Sequence, residues 1–366
     1  MPSLAAPRAD DSPKVSLIVV NYNGMGYLRD CIESLLNTNY ERFEIIIVDN
    51  ASTDRSIDSI STLIQDPRVR VLRLARNLGY AGACNLGSQS ASGGILAFLN
   101  VDIVVTPNWL QPLISVFLQD PSVGAAQPRL VMQDDSGVQD AAGGYIDIFG
   151  CAHERQFASP GAVQNEILYA KGAAILIPSS LFSRLDSFDD DFQFYYEETD
   201  LCWRVWLSGH RVVYVSDSVV FHARAGITRS LDANRKAELY MMARLDRLRM
   251  ILKNYEYMYL FTLMPIIMLN NLKDILILLV LGASHSALWA TIKVPVRALT
   301  ELKRTLRKRY LARQYAKIPN RVLIGLGLIV LTNPFFVPHE IGDLPLKRRY
   351  LINHWKKHER WRVPSR

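Results

Sequence analysis

The sequence predicts an α/β protein built on a parallel sheet covered on both faces, followed by a basic, apolar helical region. Three observations carry that prediction. Short, fully apolar, β-branched runs alternate with helical patterns over the first hundred residues, as strands buried on both faces do. Residues 1–233 hold 17 Lys and Arg against 27 Asp and Glu, and residues 234–366 hold 25 against 8, so the net charge of +7 conceals an acidic front and a basic back. The basic part also contains three long apolar runs. With 366 residues, 49% of them hydrophobic, the chain has room for one large domain or two ordinary ones and is neither disordered nor fibrous.

Taken in order, residues 1–13 are rich in Pro, Ala and Asp and read as a flexible leader, without the charged and apolar pattern of a signal peptide. Val15–Val20 is a buried strand bounded by Asn and Gly. Tyr27, Leu28, Cys31, Ile32, Leu35 and Leu36 recur at helical spacing. FEIIIV (43–48) is a second strand, VRVLRL (69–74) a third, residues 81–90 a helix of small residues, and residues 95–99 a fourth strand. Further on, residues 108–118 read as a helix, 125–131 and 167–177 contain strands, 200–207 is a helix ended by Ser208-Gly209, and 211–215 and 219–222 are strands. The four cysteines, at 31, 84, 151 and 202, are too scattered for a disulfide framework and suit a reducing compartment.

The first domain therefore covers 14–233, and 234–366 forms a separate helical region. Within the latter, the runs are Tyr257–Leu269, Ile275–Ile292 after a polar break at 270–274, and Val322–Val337. A bilayer span takes about 20 apolar residues, so the middle run could just cross and the others suit a re-entrant hairpin or interfacial helices. Lys and Arg beside apolar runs favour an anionic cytoplasmic leaflet. No nucleic-acid-binding fold accompanies the charge, so nucleic acid is not an expected partner.

Ligands of parallel sheets bind beyond the carboxyl ends of the strands, and unusual polar residues gather there. Asp49 closes the second strand and opens Asp-Asn-Ala-Ser-Thr-Asp, a pattern that also suits an Asx turn. Asn100 and Asp102 close the fourth, on one side by alternation, and could hold a hard divalent cation with a diphosphate. In the stretch from Phe188 to Arg204, acids interleave with aromatics ahead of a helix. Glu197, Glu198 or Asp200 there could serve as a general base or as helix caps. His222 follows a strand and gains a metal-ligand reading only together with Asp102.

VSLIVVNYNG, EIIIVDNASTD, RNLGYAGACNLG, FLNVD, KGAAILIP, YYEETDLCWRVWLSGHRVVYV and VVFH follow one another from residue 15 to residue 222, within a resemblance that covers about residues 14–260. In that order they resemble glycosyltransferase family 2, above all the bacterial rhamnosyltransferase-like members that build cell-surface polysaccharide. The resemblance implies a GT-A fold, a nucleotide-sugar-binding αβα sandwich, with a membrane-associated tail. It places Asp49 at the nucleotide base with help from Asn21 and Asn23, and Arg76, Asn77 and Asn85 beside the nucleotide sugar. Asn100, Gly172 and Arg204 join the substrate side, and Asp102 and His222 become ligands of Mg²⁺ or Mn²⁺. The catalytic base falls at Glu198, with Glu197 the alternative, because the family's Glu-Asp pair is Glu-Glu here. The first position of its D-x-D-like motif is Asn100.

These residues imply inverting, metal-assisted transfer of a sugar from a nucleotide diphosphate donor to a hydroxyl of a lipid-linked or polysaccharide acceptor. The catalytic domain is expected on the cytoplasmic face of an anionic membrane. A dinucleotide-dependent oxidoreductase fits poorly, because Arg29 stands where the Gly24-Met25-Gly26 turn would need a third small residue. A non-catalytic membrane scaffold or nucleotide-sugar-binding protein on the same fold is the remaining alternative.

Overall fold

A computed structural model describes residues 12–133, 138–155, 165–193, 195–223, 233–280 and 285–332. The chain opens with β1 (Val15–Asn21), α1 (Leu28–Leu36), β2 (Phe43–Asp49), α2 (Ser56–Ser59), β3 (Val69–Arg73), α3 (Gly79–Gln89) and β4 (Ile95–Asn100). There follow β5 (Ile103–Val105), α4 (Leu110–Gln119), β6 (Val123–Met132), β7 (Gln139–Ala141), β8 (Gly144–Asp147), β9 (Ala152–Glu154) and β10 (Asn165–Glu166). Next come β11 (Ala174–Pro178), α5 (Ser179–Arg184), α6 (Glu197–Leu207) and β12 (Arg211–His222). The last part holds α7 (Ala233–Asn254), α8 (Tyr257–Val280), α9 (His285–Thr300), α10 (Leu302–Gln314), α11 (Asn320–Gly325) and β13 (Ile329–Val330).

The main sheet runs β10-β12-β6-β11-β4-β1-β2-β3, with β5 on β12 and β7 on β6. Its β4-β1-β2-β3 half is parallel, as the apolar runs predict, while β11 enters antiparallel between β4 and β6. Strand alternation divides the core. Val15, Leu17 and Val19 of β1 belong to the apolar cluster that includes residues of α1 and α4, whereas Ile18 belongs to the one that includes residues of α3, α6 and α7. The small residues of α3 serve this packing: a side chain on Gly87 would begin 2.6 Å from the Ile18 methyl.

Three expectations change. The strands read at 211–215 and 219–222 are one strand, β12, which bulges between Val215 and Val219. The polar residues at 270–274 do not interrupt a helix. They lie inside the 24-residue α8, because Arg244 of α7 donates to Asn271 at 2.5 Å and to Asp274 at 2.8 Å. Ile275–Ile292, read as one run, is instead divided between α8 and α9, and residues 281–284 of it lie outside the described residues. Of Val322–Val337, the described part forms α11 and β13; residues 333–337, most of the leader and the basic last twenty residues also lie outside.

Candidate active site

Parallel register sets Asn21 opposite Asp49 and Val20 opposite Asn100, so the carboxyl ends of β1, β2 and β4 form one rim. Asn21 is buried there and donates to Asp49 at 3.1 Å, Ser52 at 3.0 Å and Ser56 at 2.9 Å. Asn23 adopts φ of 53°, and its side-chain Oδ1 accepts from the Thr53 N–H at 2.8 Å, which fastens the β1 loop to the β2 loop. A second knot ties Asn50 to Asn77 at 3.0 Å, and Asn77 in turn accepts from the Gly79 N–H at 2.8 Å. Arg76 and Asn77 are exposed on this rim.

Asp102 follows β4, and His222 ends β12. Their nearest atoms, Asp102 Oδ1 and His222 Nε2, lie 3.4 Å apart. The other ring nitrogen, Nδ1, lies 2.7 Å from Oδ2 of Asp140, a buried residue of β7. An ionised carboxylate only accepts, so Nδ1 holds its proton toward Asp140 and Nε2 faces Asp102. Burial lowers the His222 pKa, but its hydrogen bonds to Asp102 and Asp140 outweigh this and hold it above the usual histidine value. A divalent cation fits beside Nε2 chemically: a carboxylate oxygen and an imidazole nitrogen face each other, and a second carboxylate orients the ring from behind.

The third group sits at the start of α6. Tyr195 and Tyr196 both have left-handed backbone angles, φ of 65° and 69°, and deliver Glu197 and Glu198 onto the first turn. Glu198 Oε1 accepts from the Gly172 N–H at 3.1 Å. The Oε2 atoms of Glu197 and Glu198 are shielded from solvent and take no hydrogen bond among the described residues. Burial raises the pKa of Glu197 well above the carboxylate range, and the charge of Glu198 raises it further. Burial raises that of Glu198 too, but its own N–H, the Gly172 N–H and the charge of Lys171 pull it back. Of the two, Glu197 is therefore the more readily protonated and Glu198 the better anion.

Lys171 joins the two groups, reaching Asp140 at 3.4 Å and Glu154 at 3.0 Å beside the Gly172 that holds Glu198. Neither Lys171 nor Asp140 stands out in the sequence, since Asp140 meets His222 across 82 residues and lies outside any periodic segment.

Two expected substrate residues face inward. Both ends of the Asn85 amide hold the backbone of Phe188, at 2.9 and 3.0 Å, which fixes the loop before α6. Arg204 is buried against Asp200 at 2.8 Å and donates to the Leu185 carbonyl. Asp200 also meets Lys253 at 3.0 Å and Asn254 at 2.8 Å of α7. The clustered Asp189, Asp190 and Asp191 are matched by Lys253, Lys308 and Arg304. Their negative charge is already compensated by protein cations, so this cluster suits an ion-pair network better than a metal.

Residues 16–176 match the family model described as glycosyl transferase family 2. This stretch is a glycosyl transferase family 2 domain. The family 2 region contains Asn21, Asp49, Asp102, Asp140 and Gly172, while Glu197, Glu198 and His222 follow it in the chain. Among solved structures, GalNAc-T7 with UDP, GalNAc and Mn²⁺ superposes with a TM-score of 0.56 at 18% identity, over 68% of this chain and 49% of that one. That likeness shows the GT-A fold. The O-antigen biosynthesis protein RfbC of Myxococcus xanthus is 30% identical over 242 residues, 63% of this chain and 19% of the relative. A pre-mycofactocin glycosyltransferase of Mycobacterium tuberculosis is 26% identical over 223 residues, 60% of this chain and 45% of the relative. The chain thus spans less than half the length of either curated relative.

Proposed function

We propose that the protein is an inverting, divalent-metal-dependent glycosyltransferase. It moves a sugar, rhamnose being one candidate, from a nucleotide diphosphate donor to a hydroxyl of a lipid-linked or polysaccharide acceptor at the cytoplasmic face of the membrane. One observation carries this reading. A desolvated carboxylate pair is joined through Gly172, Lys171 and Asp140 to the facing Asp102 and His222, beside the Asn21–Asp49 rim.

On this reading the Asn21–Asp49 rim receives the nucleotide base, with Arg76 and Asn77 beside the sugar phosphate. Asp102 and His222 would hold Mg²⁺ or Mn²⁺, and Asp140 keeps the histidine in the tautomer that can ligate. The bound ion would stabilise the charge that develops on the leaving diphosphate. Glu198 accepts the proton of the acceptor hydroxyl as its oxygen bonds to the anomeric carbon. The bond from that carbon to the diphosphate oxygen breaks, and the nucleoside diphosphate leaves with its electron pair. Glu197, the more readily protonated of the two, can sit beside the anion as a neutral carboxyl without repulsion.

A thermal-shift screen of nucleotide diphosphate sugars with and without Mn²⁺ tests the reading. A donor that raises the melting temperature only with the metal identifies base and sugar together. The absence of stabilisation by any nucleotide diphosphate sugar would count against it.

A further inference from the structure

Resting on the membrane reading above, we propose that α8 and α9 lie in the plane of an anionic lipid surface and do not cross it. By length and composition α8 could span a bilayer. Its inner stripe, however, is buried against the protein along the helix, through Leu260, Leu263, Ile267, Asn271 and Leu278. Asn271 and Asp274 are held by Arg244 of α7. That helix also carries the buried charges Asp246, Arg249 and Lys253. A helix that carries these buried ion pairs, Arg249 with Asp246 and Lys253 with Asp189 and Asp200, cannot follow α8 into hydrocarbon, where charged groups are costly and rare.

The opposite stripe has the reverse character. Met258, Phe261, Met268, Leu272, Leu276 and Leu279 are exposed at helical spacing, Phe261 to 85%. Trp289 and Val296 of α9 are exposed as well. Lys293 of α9 and Lys303 and Arg307 of α10 are exposed on the elements that follow. An apolar stripe accompanied by cations suits a helix seated among anionic headgroups and upper acyl chains.

The full chain would be floated with vesicles of phosphatidylcholine alone or mixed with phosphatidylglycerol, beside a Phe261→Glu/Leu276→Glu variant. We expect wild type to float with the anionic vesicles in a salt-sensitive way. The variant should bind at least about ten-fold more weakly, with its melting temperature and nucleotide binding retained. Depth is read from a fluorophore at Met258→Cys, Met268→Cys or Leu279→Cys, with quenchers set along the lipid chain; the four native cysteines are buried. Equal shallow depths support the proposal. A deep 268 between shallow 258 and 279 would establish a crossing helix and overturn it. Equal flotation of variant and wild type would also overturn it and leave membrane association standing. Wild type that floats with neither vesicle overturns the membrane reading itself. A wild-type dimer made monomeric by the double substitution would assign the stripe to a second copy.

Discussion

Glu197 and Glu198 differ in what surrounds their oxygens, and that difference gives each a separate expected phenotype. Glu198 has an N–H and a lysine to support its charge, whereas Glu197 has burial and a negative neighbour. Glu198→Gln should lower kcat by roughly 10²–10⁴-fold with nucleotide binding kept, while Glu197→Gln, which mimics the protonated acid, should retain most activity. Single-turnover transfer with isotopically labelled donor separates the two. Activity should rise with pH through a midpoint above the usual carboxylate range. The linkage runs the opposite way for stability. A raised carboxyl pKa helps the fold at low pH, below the unfolded value, and that help is lost as pH rises through the folded value. Asp140→Asn should weaken Mn²⁺ binding by about 10–100-fold with the fold intact, as read by electron paramagnetic resonance of the free ion. Asp49, Glu197, Glu198 and His222 were legible in the sequence because each ends or begins a recognisable strand or helix, and Asp102 because it stands in the turn just past β4, not within the strand. Asp140 and Lys171 were not, because their importance arises only when distant segments fold together. Asn85 and Arg204 occupy recognisable positions, but the loop before α6 engages their polar groups.

Among the elements, α6 is the one under most constraint. It starts after two tyrosines in left-handed conformation, each costing about 1–2 kcal/mol, and its first turn is tied to α7 through Asp200. Asp200→Ala removes the partner of buried Arg204 and one partner of Lys253. It should destabilise the protein by about 3–5 kcal/mol in denaturant unfolding, while Asp200→Asn should cost less because it keeps a hydrogen-bonding oxygen. The parallel half of the sheet could be read strand by strand, since apolar runs with polar ends have few other outcomes. The β11–β6 crossover could not, because antiparallel insertion depends on long-range packing. Residues 270–274 read as a break because sequence alone does not reveal Arg244 waiting across the helix interface.

Across the whole molecule, the division of charge found in the sequence becomes a division of surfaces. Acids of the front part meet cations of the helical part where Asp189–Asp191 face Lys253, Arg304 and Lys308, so part of the basic excess is matched internally. On the proposed membrane reading, the basic excess left at the surface should make flotation with anionic vesicles weaken between low and physiological salt, which flotation at several salt concentrations would measure.

The links from α6 to α7 and from α7 to α8 have a consequence for which acceptors can react. The carboxylates at the head of α6 and the apolar stripe of α8 belong to one interlocked unit, joined through Asp200, Lys253, Arg244 and Asp274. If α8 rests on lipid, the height of the reacting carboxylate above the bilayer is a built-in dimension of the protein. Acceptors would then be sorted by stand-off: a glycan whose terminal hydroxyl reaches that height reacts, and one with added sugars between lipid and terminus passes it by.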